Sequence, residues 1–329
     1  MLRMDGFTTH RPSTPEEAVA LYHTLENPMY IAGGTDLLPN LKHRIFEPRN
    51  LVAIGKAVAR GWEQEKDQWI IGAGTRLSQL SQMGEIPPLA QAAGLVAGPQ
   101  IRNMGTIGGN VLLDTRCIYY NQTEFWRKSL GYCLKATGDW CHVINSAKTC
   151  VATQSSDTVP VLMAMNASIR LLGPNGSREL NLRELFHFDG KDHLKIEKGE
   201  LLTHIIVPNP APNFRGSYTK IRTRDSIDFP LLGVAITGQL SGQGTDCQAT
   251  NLSIVIGAIN PAPRLVKGLE AFNDVTLDDE TIASIGELCR KRSRPQGSVE
   301  GPIHGTADWR RDIVSVTVKR GLIALRQGV

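Results

Sequence analysis

The spacing of apolar and polar positions divides the chain into short elements separated by glycine- and proline-rich turns. Thr14 followed by Pro15 and Glu17 forms a capping box with proline at the first helical position, which predicts a helix over 15–25. Tyr30-Ile31-Ala32 predicts a strand that runs through the turn Gly33-Gly34-Thr35-Asp36 into an apolar-periodic segment, Leu37 to Ile45, expected to be helical. A similar cadence, Trp69 to Leu77 with Gly72 and Gly74, follows about 40 residues later, although two short matches do not establish a repeat. Residues 91–98 end a helical stretch, and 99–110 read as a loop rich in glycine and amide groups.

Further on, the apolar run 159–172 meets Gly173-Pro174-Asn175-Gly176, which predicts a hairpin of 168–172 against 178–182. Prolines 208, 210 and 212 suggest a domain boundary. Beyond them 218–222, 231–240 and 252–259 read as strands, and 278–291 and 307–325 as capped helices. Together these predict a C-terminal sheet-and-helix domain (213–329).

Composition narrows the function classes. A formal charge of +4 on 329 residues, with bases and acids interleaved, argues against a nucleic-acid partner. No segment has the length and apolarity of a signal peptide or a membrane span, so a cytoplasmic location is expected, with no membrane partner. In that compartment clustered cysteines point to metal or redox chemistry rather than to disulfides.

Two kinds of candidate site stand out. The turns 33–36 and 105–110 can each bring consecutive backbone N–H groups onto one point, the chemistry of a phosphate or pyrophosphate cradle; a tight turn that merely needs positive φ is the plain alternative. Neither matches the nicotinamide-binding fingerprint, because the GxGxxG order and the acidic residue about 20 positions on are missing, so FAD is the better candidate. The second site is a run of four of the six cysteines, Cys117, Cys133, Cys141 and Cys150, in a segment rich in aromatic residues. With 15, 7 and 8 residues between them and no CxxC pair, they fit neither the common zinc ribbons nor the compact ferredoxin run. From spacing alone an iron–sulfur cluster is one reading among several; buried structural cysteines and a zinc scaffold without flavin are others. His142 is a conceivable replacement ligand or a hydrogen-bonded loop histidine, and Cys247 and Cys289 read as core or surface residues.

The order and spacing of IAGGTDLLPNL, QIRNMGTIGGNV and SSDTVPVLMAMNASIRLLGPNGSREL, with SYTKIRTRDSIDFPLLGVA opening the last domain, resemble the FAD-binding subunits of the molybdenum hydroxylase family, which includes xanthine dehydrogenase and carbon monoxide dehydrogenase. The resemblance covers essentially the whole chain and implies an α+β fold in which an N-terminal lobe (1–55) and a second lobe (56–212) precede the C-terminal domain. The cysteine segment, about 114–152, is an insertion most members lack, and it resembles that of the 4-hydroxybenzoyl-CoA reductase β subunit, where four cysteines hold a 4Fe-4S cluster.

The resemblance implies that Ala32, Gly33, Gly34, Thr35, Asp36 and Leu37 form one wall of the FAD pyrophosphate site and Thr106, Gly108, Gly109 and Asn110 the other. It implies that Asp157 bonds a cofactor hydroxyl and that Lys220 lies near the isoalloxazine. It further implies cluster ligation by Cys117, Cys133, Cys141 and Cys150. The expected partners are a molybdopterin-containing large subunit, a small subunit with two 2Fe-2S clusters and a ferredoxin-like electron donor. The expected role is electron transfer, with substrate chemistry elsewhere. The main reading is reductive, the dehydroxylation of 4-hydroxybenzoyl-CoA to benzoyl-CoA with a ferredoxin as donor; the alternative is oxidative, as in a molybdenum hydroxylase or aldehyde oxidoreductase.

Overall fold

A computed structural model describes residues 3–296 and 305–328. The expected lobe and domain ranges also take in residues 1, 2, 297–304 and 329, which lie outside the described residues. The Thr14 cap forms, the Glu17 amide donating to its hydroxyl at 3.1 Å, while the Glu17 carboxylate accepts from the Ser13 amide at 2.7 Å rather than from Thr14, starting helix Pro15–Thr24. Its Ala18 and Val19 are buried beside a three-stranded parallel sheet in the order Thr8–His10, Asn50–Ala53, Pro28–Ile31. The helix expected over 37–45 is shorter, Leu37–Lys42, because Arg44 turns left-handed at φ +54°.

The second sheet is five-stranded and antiparallel, in the order Trp62–Glu65, Gln68–Gly72, Leu201–Pro208, Ser168–Gly173, Gly176–Asn181. Its last two strands are the expected hairpin, closed at Gly176 with φ +115° and paired so that Leu171 faces Arg178. The long apolar run before it is not one element. Helix Thr158–Ala164, buried along its whole length, ends near Asn166 at φ +57°, and only then does the strand begin. The stretch 99–110 also departs from expectation, holding two short helices, Pro99–Arg102 and Ile107–Val111. Proline at the first helical position starts one, and the Thr106 hydroxyl, accepting the Gly109 amide at 3.1 Å, caps the other.

After Pro208 the chain enters a third sheet, antiparallel, in the order Arg264–Leu265, Gln248–Gly257, Leu232–Ser241, Phe214–Ile221, with Val275–Thr276 also paired to Gln248–Gly257. Helices Asp279–Ser293 and Ala307–Gln327 pack together over it, closing a core that includes Ile236, Ile254, Ile285, Val318 and Leu322. A separate core runs continuously from the first sheet to the second through Val52, Ile71, Val111, Leu162 and Ile205. Each such side chain contributes about 1.5–3 kcal/mol on burial, so these cores fix the loops between them. Among the described residues no helix is long and apolar enough to cross a membrane.

Candidate functional site: a glycine-walled cavity beside a cysteine pocket

Three glycine-containing turns meet at one place. A Cβ on Gly33 would lie 1.9 Å from the Met104 carbonyl oxygen, so the first turn fits against the approach to the second only as glycine. Gly34 adopts φ +72°, which glycine enters without penalty. The second turn is laced to residues 73–75 of the third: the Ile107 amide donates to the Thr75 carbonyl and the Gly108 amide to the Ala73 carbonyl, both at 2.9 Å. A Cβ on Gly108 would sit 2.9 Å from that Ala73 oxygen. Gly109 differs, being exposed, with only the Thr106 hydroxyl within 4 Å of a Cβ placed there.

Between the turns lies a cavity of about 650 Å³, within the range of small-molecule sites. Ala32, Gly33, Gly34, Thr35, Asp36, Leu37, Thr106, Gly108, Gly109 and Asn110 all line it. A wall of close backbone and small side chains suits a cofactor whose phosphates need N–H donors and no intervening side chain.

The remaining expected residues divide. Asp157 lines the cavity at the N-cap position of Thr158–Ala164, but its side chain does not cap that helix. Its two oxygens instead accept from the Tyr218 hydroxyl and the Lys220 ammonium, each at 2.8 Å, in a site where all three side chains are almost fully buried. Burial pushes the Asp157 carboxyl up, against the opposing pull of Lys220 and Tyr218. Lys220 also donates to the Leu95 carbonyl at 3.0 Å and is not among the cavity-lining residues. Asn110 spends its carbonyl oxygen on the hydroxyls of Ser156 and Thr158, both at 2.7 Å, which fastens the second turn to the start of the core helix.

Several lining residues were not singled out from sequence. Arg116 bonds Asp36 of the first turn, lies 5.0 Å from the Phe229 ring centroid, and pairs its backbone with Thr153. Phe229 and Ile227, from the loop between Phe214–Ile221 and Leu232–Ser241, also line the cavity; Ile227 holds φ +55°, a costly conformation for a β-branched residue. Ala73, Gly74 and Arg76 also line the cavity. The signal for them was the repeated cadence at 69–77, which reflects a third turn at the same cavity.

Cys117, Cys133, Cys141 and Cys150 line a second, small cavity of about 10 Å³. Among the described residues no group of three or more His, Cys, Asp or Glu is gathered tightly enough to hold one metal ion. Burial pushes the Cys117 thiol up to about 11 and the Cys150 thiol up to about 12. Tyr119 and Tyr120 line the pocket, but Phe125 and Trp140 are 82% and 54% exposed, so the segment's aromatic residues are only in part its packing. Both nitrogens of His142 are engaged, one accepting from Trp140 at 3.2 Å and the other contacting the Tyr132 carbonyl at 2.6 Å, as for a hydrogen-bonded loop histidine. Cys247 and Cys289 are buried in the C-terminal core.

Residues 5–210 match the family model described as FAD binding domain in molybdopterin dehydrogenase. The chain is 29% identical over 260 residues to the aldehyde oxidoreductase FAD-binding subunit PaoB of Escherichia coli, covering 73% of this chain and 80% of that one. It is 27% identical over 327 residues to the carbon monoxide dehydrogenase medium chain of Afipia carboxidovorans, covering 96% of each. The fold is shared with a chain of carbon monoxide dehydrogenase from Hydrogenophaga pseudoflava, with a TM-score of 0.77 at 24% identity over 98% of both chains. With three glycine turns walling one cavity and well over half its length matched, the chain belongs to the FAD-binding domain family of the molybdopterin dehydrogenases and is an oxidoreductase subunit.

Proposed function

We propose that this chain is the FAD-carrying medium subunit of a molybdenum hydroxylase complex and that it relays electrons between a molybdopterin-containing large subunit, reached through a small 2Fe-2S subunit, and an external carrier. The observation that carries the reading is the convergence of the turns 33–36 and 105–110 on one cavity, with backbone left uncovered at Gly109. The backbone of 33–35 and 108–109 would hold the pyrophosphate. Relatives named as aldehyde oxidoreductase and carbon monoxide dehydrogenase subunits favour the oxidative direction over reductive dehydroxylation of 4-hydroxybenzoyl-CoA.

The proposal extends to a 4Fe-4S cluster held by Cys117, Cys133, Cys141 and Cys150. Its support is the donor set: four cysteines lining one pocket, in a segment whose Asp114 and Arg116 line the flavin cavity. When bound, FAD takes up one or two electrons and the cluster one at a time, so together they can link two-electron chemistry to a one-electron protein such as a ferredoxin. Iron, acid-labile sulfide, zinc and flavin should be measured on protein purified without oxygen. About four irons and four sulfides with one FAD are expected. FAD without iron would remove the cluster and leave the flavin subunit, whereas zinc without flavin would overturn both.

A further inference from the structure

The flavin cavity and the cysteine pocket are separated by a single run of chain. Asp114 and Arg116 line the first, Cys117 lines the second, and Lys135, a residue of the second, reaches back across the run. The Lys135 ammonium donates to Asp114 Oδ1 at 2.6 Å, to the Thr115 carbonyl at 2.9 Å and to the Thr115 hydroxyl, which uses all three of its N–H groups. Its side chain is 4% exposed, and the ammonium stands 4.8 Å from the centroid of Tyr120, which also lines the cysteine pocket. Asp114 Oδ2 is buried without a hydrogen-bond partner, and His193 Nδ1 lies 3.8 Å from Oδ1.

The ion pair thus joins the two pockets, Lys135 belonging to the cysteine pocket and Asp114 to the flavin cavity. Resting on the cluster reading above, we propose that Lys135 is a positioning residue for charge, which raises the reduction potential of the cysteine-bound centre, while Asp114 confines that effect to the cysteine side. Adding an electron makes a thiolate-ligated centre more negative. A cation held in a poorly solvated wall of its pocket stabilises that reduced form far more than a solvated lysine would. Asp114 screens the flavin cavity from the same cation, so the pair favours an electron on the cysteine side of the partition over one on the flavin side. A lysine present only to close the segment would need no such pairing.

The test is an EPR-monitored redox titration of the anaerobically purified holoprotein and its variants, with iron and FAD measured on each. Lys135→Met should keep iron and FAD and shift the one-electron equilibrium at least tenfold toward the oxidised centre, about 59 mV more negative. Lys135→Arg, which keeps the charge, should restore the wild-type potential. Asp114→Asn, which leaves the cation uncompensated, should move the potential the other way. An iron-replete Lys135→Met protein with an unchanged potential overturns the proposal, as does an equal shift in Lys135→Arg and Lys135→Met, which would mark the effect as packing. If Lys135→Met loses its iron, Asp114→Asn decides alone: an upward shift supports the proposal and no shift overturns it. Iron-free wild-type protein would instead sink the cluster reading, and the proposal with it.

Discussion

Gly109 and Asp157 both face the flavin cavity, one by having no side chain and the other by having a side chain already committed. Gly109→Val should fill the space above the Thr106 hydroxyl. Overpacking of this kind costs about 1–3 kcal/mol, equivalent to up to about a hundredfold weaker FAD binding, and flavin absorbance per chain after gel filtration reads it directly. Wild-type FAD content would take Gly109 out of the site. Cys141→Ser should lower iron while FAD persists, and full iron would remove Cys141 from the ligands. The glycine and cysteine positions were legible because their chemistry is tied to residue type. Arg116 and Lys135 were not, since an isolated cation carries no spacing signal; they matter through Asp36 and Asp114, which lie 80 and 21 residues away in sequence. Lys220 shows the converse: the resemblance implies a place near the isoalloxazine, whereas packing holds its charge on Asp157 and leaves it out of the cavity lining.

The turns owe their shape to what lies behind them. Element types were largely readable because capping boxes, glycine turns and the 173–176 signal are local, whereas helix Thr158–Ala164 merged with the following strand into one apolar run because both are fully buried. The hairpin that follows carries a pH dependence. Arg178 grips Glu200 with two bonds of 2.6 and 2.7 Å, and this hydrogen-bonded guanidinium pulls the Glu200 carboxyl below its ordinary value. A depressed folded-state value means that the stabilisation is complete above the unfolded glutamate value of about 4.3 and is lost as the pH falls through the folded value. Arg178→Met should therefore cost about 1–2 kcal/mol at pH 7, discounted for the half-exposed arginine, with the gap to wild type closing in acid. Urea titrations at pH 7 and pH 3 would show this; a gap that stays constant would place the stabilisation in packing.

At the scale of the whole molecule, the C-terminal sheet is joined to the rest partly through charge. Lys220 and Tyr218 come from its edge strand, while Asp157 precedes the core helix of the second lobe. Removing one member of a buried pair leaves the other unpaired at a cost of about 3–5 kcal/mol. Lys220→Met should thus make the C-terminal sheet and its helices unfold ahead of the rest of the chain, seen as a split transition by tryptophan fluorescence and circular dichroism. A single unshifted transition would show that apolar contacts alone hold the domains. Neither the third sheet's contact with the first two lobes nor the Arg116 clasp on the first turn is visible in periodicity, because both join segments remote in sequence.

Arg116 of that clasp precedes Cys117 directly, and the same short run of backbone serves both pockets. The cysteine segment is therefore not a removable cassette. Deleting it from this chain would take away the tether of Asp36 along with the four cysteines.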